Sequence, residues 1–277
     1  MTTTTTTQIL RVPGAHLHYD VSGTGPVVLL IPGGAMDAGP FSSITGPLSE
    51  HYTVVTYDPR GISRSELDDP AEEQHVSVHA DDAHLLLAEL GAEPAYVVGS
   101  SGGAITGLSL VERHPGQVRT LLAHEPPLTC LLPDSEEQER SGQEVQDVYR
   151  REGTGAAMVA FMKMAGFDGG APGQAHEPTP QEQAGMARMQ GNFGFFFGSL
   201  WSAITGYRPD LAKLRDTGTR VVPVGGEQSH GQVAYLGAAA LAERLGLELE
   251  AFPGDHGGLW ADPATSVPRL LDLLRDH

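Results

Sequence analysis

The apolar run Tyr96-Val97-Val98 stops at Gly99-Ser100-Ser101-Gly102-Gly103, two hydroxyls set among three glycines. A strand, a sharp turn and the start of a helix are the setting in which a serine becomes a nucleophile, with the pattern G-x-S-x-G. Centred on Ser101, the pattern has Gly99 and Gly103 at its flanks; centred on Ser100, it puts Val98 where the first glycine belongs. Sterics favour Ser101, because residues two away from a strained turn face the crowded strand and helix and only small ones fit. A hydroxyl there stands at a helix N-terminus, where free N–H groups and the helix dipole stabilise developing negative charge. The Gly102 amide is then one oxyanion donor. A second is expected from the glycine turn in LLIPGGA, the Gly34 amide first and Ala35 next.

A serine hydroxyl needs a base to take its proton. Of the 12 histidines, His256 lies in the loop PGDHGG after the last strand, where such a base belongs. His16 and His18 lie in the first strands, His75, His79 and His84 along a helix or its entry, and His114 at a helix end. The third partner is an acid that orients the imidazole and stabilises its charged form. Its usual place follows the penultimate strand, but there the chain reads VGGEQSHG, with uncharged Ser229 at the aspartate position and Glu227 one or two residues early. Another carboxylate, Glu125 in TLLAHEPP, ends the strand that follows the Ser101 helix. Strand ends at this edge of an open α/β sheet all face the site, and Pro126 and Pro127 fix the chain beyond it. Glu125 is therefore the expected acid, giving the chain order Ser101, Glu125, His256.

The elements that must carry these residues alternate. Short strands flank the Pro13-Gly14 turn, and the continuous apolar runs ending near Ile31, Tyr57 and Gly99 suit buried parallel strands. Val76, Ala80, Ala83, Leu87 and Leu90 fall near one helical face that stops at Gly91. Over residues 128–210 the rhythm lapses into helical, mixed sequence with a Gly/Pro-rich stretch at FDGGAPGQAHEPTP, and it returns afterwards. The pattern predicts an α/β fold, a mostly parallel sheet flanked by helices, built from residues 1–127 and 211–277, with a helical cap inserted over 128–210. The later part of that insertion carries Met186, Met189, Phe193, Phe195, Phe196, Phe197 and Trp201. One face of a cap must roof the serine and make an apolar pocket. Ala35, Met189, Phe193, Phe197 and Trp201 are the expected substrate contacts. The earlier segment DSEEQERSGQEVQDVYRRE is polar and reads as a solvated helix.

A formal net charge of −18 argues against nucleic acid and anionic membrane surfaces, both of which need Lys/Arg-rich faces. The single cysteine, Cys130, excludes an intrachain disulfide and a cysteine metal cluster. No spaced set of His, Cys and carboxylates suggests a metal site, and no cofactor is expected. The opening MTTTTTTQIL lacks the basic and apolar parts of a signal peptide and reads as a frayed polar tail; with no run of transmembrane length, a cytoplasmic location is expected.

With these motifs in order (LIPGG, YDPRGISRS, GSSGG, PGDH), the chain resembles the α/β-hydrolases over nearly its whole length. Within that superfamily it is most similar to the zearalenone lactonase type. That group has a Ser-Ser-Gly elbow, a P-x-G oxyanion loop, S-R-S after the third core strand and an HE-x-P strand end, matched here by SSG, PGG, SRS and HEPP. The resemblance implies Ser101 as nucleophile, Glu125 as acid, His256 as base, and the Gly34 and Gly102 amides as oxyanion hole. The expected activity is hydrolysis of a small-molecule ester or lactone with an apolar body, aromatic and macrocyclic ones included. Two other uses of the scaffold stay open: a non-hydrolytic enzyme such as a lyase or cofactor-free perhydrolase, and a small-molecule receptor.

Overall fold

Runs such as VVLLI and TVVTY carry apolar side chains on both faces, so they belong in the covered middle of a parallel sheet. The computed structural model, which describes residues 4–91, 94–167 and 180–275, has such a sheet. Its strands are β1 (Thr5–Val12), β2 (Ala15–Ser22), β3 (Val27–Ile31), β4 (Thr53–Tyr57), the two-residue β5 (Glu66–Leu67), β6 (Ala95–Ser100), β7 (Val118–His124), β8 (Arg220–Gly226) and β9 (Glu250–Phe252). Their spatial order is β1-β2-β4-β3-β6-β7-β8-β9, with β5 paired to β2. Every neighbouring pair from β4 to β9 is parallel, and β1, β2 and β5 add antiparallel pairings at one side.

From Thr5 on, the threonine run is not a frayed tail. Thr5–Val12 pairs with β2 along its full length, and Thr5 Oγ1 lies 2.8 Å from Ser22 Oγ. β-branched threonine fits a pleated edge strand, and the partner strand supplies the ladder that a tail lacks.

Helices cover both faces: α1 (Ser42–Leu48), α2 (Val76–Glu89), α3 (Gly102–Arg113), α4 (Ser135–Glu152), α5 (Thr154–Ala165), α6 (Pro180–Phe195), α7 (Trp201–Gly206), α8 (Leu211–Asp216), α9 (Val233–Leu245), α10 (Gly258–Ala261) and α11 (Pro263–Leu274). Residues of α2, α3 and α9 pack with Leu29, Val97 and Leu121 in one core. Residues of α1, α10 and α11 pack with Leu30, Val98 and Leu122 in the other. None of the described helices is long and apolar enough to cross a membrane.

Two consequences position the site. The chain leaves β3 toward α1 on one face and β6 toward α3 on the other, so the loops after these adjacent strands diverge and open a crevice at their C-terminal ends. Between β7 and β8 the chain leaves the sheet and forms α4 to α8, with a π-helical turn at Phe196–Leu200 joining α6 to α7. Part of this segment packs into the α2/α3 core through Val145, Ala157, Phe197 and Ile204. Most of the Gly/Pro-rich stretch, residues 168–179, lies outside the described residues.

Candidate active site

Ser101 follows β6 directly, with φ 54° and ψ −119°. L-residues rarely adopt this conformation, and it costs of order 1–3 kcal/mol unless the surroundings enforce it. Here they do. The Ser101 N–H donates to the His124 carbonyl at 2.8 Å, tying the turn to the next strand. A Cβ on Gly99 would come within 2.5 Å of the Gly103 carbonyl oxygen, and one on Gly103 within 2.2 Å of the Ile31 carbonyl oxygen. The flanking glycines are therefore a packing requirement of the turn. Ser101 is the N-cap of α3, so the Gly102 N–H that follows lacks an intrahelical acceptor.

The loop after β3 comes up against this turn. A Cβ on Gly33 would lie 2.8 Å from Ser101 Cβ, and one on Gly102 3.3 Å from the Gly34 nitrogen. Gly34 takes φ +59°, a value that suits glycine. The Gly34 and Gly102 backbones thus meet beside Ser101.

Glu125 follows β7 and is fully buried, with φ 47°. Its Oε1 accepts the Gly226 N–H at 2.8 Å, and its Oε2 accepts from His256 Nδ1. An ionised carboxylate only accepts, so Nδ1 carries the proton and Nε2 keeps its lone pair. Burial pushes the Glu125 carboxyl up, but the His256 hydrogen bond, the His124 and His256 charges and the Gly226 N–H together outweigh it and hold the pKa below the usual value. The side chain of His256 is 20% exposed, and its ring packs on Phe167 with centroids 5.5 Å apart. Among the described residues Ser101 Oγ makes no hydrogen bond.

Beside this pair His124 is completely buried, 6.0 Å ring to ring from His256, with both nitrogens unpartnered among the described residues. Burial, reinforced by the His256 charge, lowers its pKa to about 4 against the opposing pull of Glu125.

Ser101, His256, Gly34 and Gly102 line one cavity of about 70 Å³, whose apolar wall includes Phe161, Met164, Phe167, Phe196, Trp201 and Ile204. Of the expected substrate contacts, Trp201 is on this wall, and its Nε1 donates to the Gly142 carbonyl at 2.9 Å. The others are elsewhere. Ala35 is buried beneath Asn192, which bonds its carbonyl. Phe197 is fully buried in the core, and Phe193 stacks on it rather than on the cavity. Met189 faces an outer groove with Met186 and Trp260. The π-helical turn shifts which residues of the aromatic run face inward, something a regular helical count does not foresee. The aromatic run also gave no pointer to α5 as part of the cavity wall. That helix's apolar stretch Met158-Val159-Ala160-Phe161-Met162 carried the signal, with Phe161 and Met164 three residues apart on one face. Glu227 is exposed and among the described residues makes no ion pair with His256, while Ser229 is buried.

The comparisons with known proteins agree with this geometry at the level of fold. The model of the alpha/beta hydrolase fold family matches residues 26–154. The uncharacterized hydrolase YraK of Bacillus subtilis (strain 168) is 38% identical over 272 residues, covering 96% of this chain and 94% of that protein. A zearalenone hydrolase of Cladophialophora bantiana is 37% identical over 124 residues, covering 43% of this chain and 46% of that protein. Among solved structures, a hydrolase from Pseudomonas aeruginosa PA01 superposes with a TM-score of 0.77 at 18% identity, over 98% of each chain.

Proposed function

From the premise that this chain belongs to the α/β-hydrolase fold family, we propose that it is a serine hydrolase of carboxylic esters or lactones. The observation that carries the reading is the Glu125–His256 pair beside the Ser101 turn, two of whose three members hold left-handed backbone conformations. In this reading Ser101 Oγ attacks the carbonyl carbon and His256 Nε2 takes its proton. Glu125 holds Nδ1–H, fixing the tautomer and stabilising the imidazolium. The Gly34 and Gly102 amides receive the tetrahedral oxyanion, each donor contributing ~10²–10³ in rate. His256 then protonates the leaving alkoxide, and water, deprotonated by the same nitrogen, releases the acyl group. In a lactone the new hydroxyl stays on the acyl chain, and that second step releases a single hydroxy acid.

Residues 128–210 are the cap in this reading, with α5 to α7 roofing Ser101. The cavity of about 70 Å³ takes a short acyl group as it stands, well below the roughly 300–1,000 Å³ of drug-sized ligand sites. A bulky aromatic or macrocyclic substrate enters when these helices separate. The likeness to zearalenone hydrolases over part of the chain supports including macrolactones among the substrates to be tried.

The test is hydrolysis of a panel running from short-chain p-nitrophenyl esters to aromatic macrolactones, with wild type and Ser101→Ala in parallel. Turnover that disappears in the variant supports the reading. Turnover unaffected by Ser101→Ala overturns it. No turnover, together with tight binding of a panel member, favours a receptor.

A further inference from the structure

The loop that carries Gly34 is held from outside by α6. Asn192 is 7% exposed and directs its whole carboxamide at two core loops. Its Nδ2 donates to the Ala35 carbonyl at 2.9 Å and to Ser63 Oγ at 3.0 Å, and its Oδ1 accepts the Ser63 N–H at 3.0 Å. Ser63 Oγ in turn donates to Asp37 Oδ2 at 2.9 Å. Arg188, one turn before Asn192, donates Nε to the same Asp37 oxygen at 2.8 Å. Burial raises the Asp37 pKa, but Arg188, the Gly39 N–H and Ser63 outweigh it and hold the carboxyl below its usual range, so the tie is ionic at neutral pH.

The platform under Ser63 is equally fixed. Arg64 Nε donates to Asp58 Oδ2 at 2.8 Å, and Asp58 Oδ1 accepts the Ala38 N–H at 3.0 Å. The S-R-S motif therefore anchors the far end of the Gly34 loop. Ser63 has φ 48°, and among the described non-glycine residues it shares a positive φ only with Ser101 and Glu125. Backbone strain of this kind gathers where the surrounding structure over-determines a functional geometry.

Gly33 and Gly34 leave the loop between β3 and α1 many conformations. Its own backbone supplies the Met36 N–H to Gly33 carbonyl bond at 3.1 Å. The Ala35 carbonyl, next to Gly34, is held by Asn192. A carboxamide donates and accepts at once; a carboxylate only accepts, and an aliphatic side chain does neither.

We propose that Asn192 is a positioning residue for acyl transfer at Ser101: it fixes the Gly34 amide where the oxyanion forms, so that the hole is complete only while α6 is seated on the core. The proposal rests on the serine-hydrolase reading above.

The test compares wild type, Asn192→Leu and Arg188→Ala by kcat and KM on p-nitrophenyl butyrate. It adds the rate at which a fluorophosphonate labels Ser101, with folded protein quantified by circular dichroism. Asn192→Leu is expected to lower kcat ~10–100-fold, somewhat less than outright loss of an oxyanion donor, with KM within about threefold and labelling slowed by the same factor as kcat. Arg188 is half-exposed, so Arg188→Ala keeps the experiment decisive if the leucine variant does not fold. It is expected to lower kcat ~2–5-fold, the scale of a surface ion pair. A wild-type kcat and labelling rate in the folded variants overturns the proposal. So does a raised KM at unchanged kcat, which would make Asn192 a part of substrate binding. A wild type that neither turns over nor labels at Ser101 removes the hydrolase reading and this proposal together; normal wild-type labelling with full-rate variants removes the proposal alone.

Discussion

Replacing Glu125 by glutamine changes one atom in a fully buried site and tests the acid assignment sharply. The two carboxylate oxygens have different partners: the Gly226 N–H for Oε1 and His256 Nδ1 for Oε2. The Gly226 N–H belongs to the backbone and can only donate, so the glutamine oxygen must face it and the NH₂ must face His256. That orientation forces Nδ1 to accept, moves the imidazole proton to Nε2 and leaves no base for Ser101. The flipped amide keeps the working tautomer but sets two donors against each other at Gly226, an unsatisfied buried pair costing about 1–3 kcal/mol. That energy leaves the productive orientation populated at ~0.5–15% of molecules, a rate loss of about one to two decades. Loss of the negative charge that stabilises the imidazolium adds the remainder. The expected total is ~10³–10⁴ in kcat, about 4–5 kcal/mol of transition-state stabilisation. KM on p-nitrophenyl butyrate should stay within about threefold, since Glu125 does not line the cavity. Circular dichroism must show an intact fold, and Glu227→Gln, at an exposed position, serves as a control within about twofold of wild type. A folded Glu125→Gln enzyme with kcat within tenfold of wild type refutes the reasoning.

Other consequences can be measured independently. His124 has a folded pKa of about 4, depressed chiefly by burial, against ~6.5 when unfolded. The unfolded chain therefore takes up a proton that the folded one refuses, and stability falls as pH drops from ~6.5 toward 4. His124→Leu breaks no hydrogen bond to the ring and should flatten that fall by up to about 3 kcal/mol in urea melts between pH 4.5 and 7.5; an unchanged slope would contradict it. Phe161→Ala removes an aromatic wall of the cavity and should raise KM for a naphthyl ester ~10–100-fold more than for an acetate ester, the burial energy of one ring. Equal effects on both would place Phe161 outside the substrate's reach. Gly103→Ala sets a Cβ 2.2 Å from a backbone oxygen and should prevent folding or cost several kcal/mol. Gly155→Ala in α5 meets nothing within 4 Å and should be neutral or stabilise by up to about 1 kcal/mol in thermal melts.

The sequence by itself determined the parallel sheet, the serine turn and the strand-end carboxylate, Glu125, that the structure pairs with His256. These are local patterns or consequences of strand order: apolar runs ending in glycine, and a carboxylate at a strand end on an edge that the parallel arrangement turns toward one crevice. The departure at VGGEQSHG was legible too, because an uncharged serine cannot orient an imidazole. Tertiary structure alone decided the rest. Thr5–Thr7 joined a strand because β2 offered a partner, and polarity says nothing about partners. The wall of the cavity depended on a π-helical turn that rotates Phe196 inward and Phe197 into the core, and on α5 folding over His256. The Asn192 bridge joins positions 129 and 157 residues apart in the chain. No spacing rule connects residues that meet only when two separately formed surfaces close on each other.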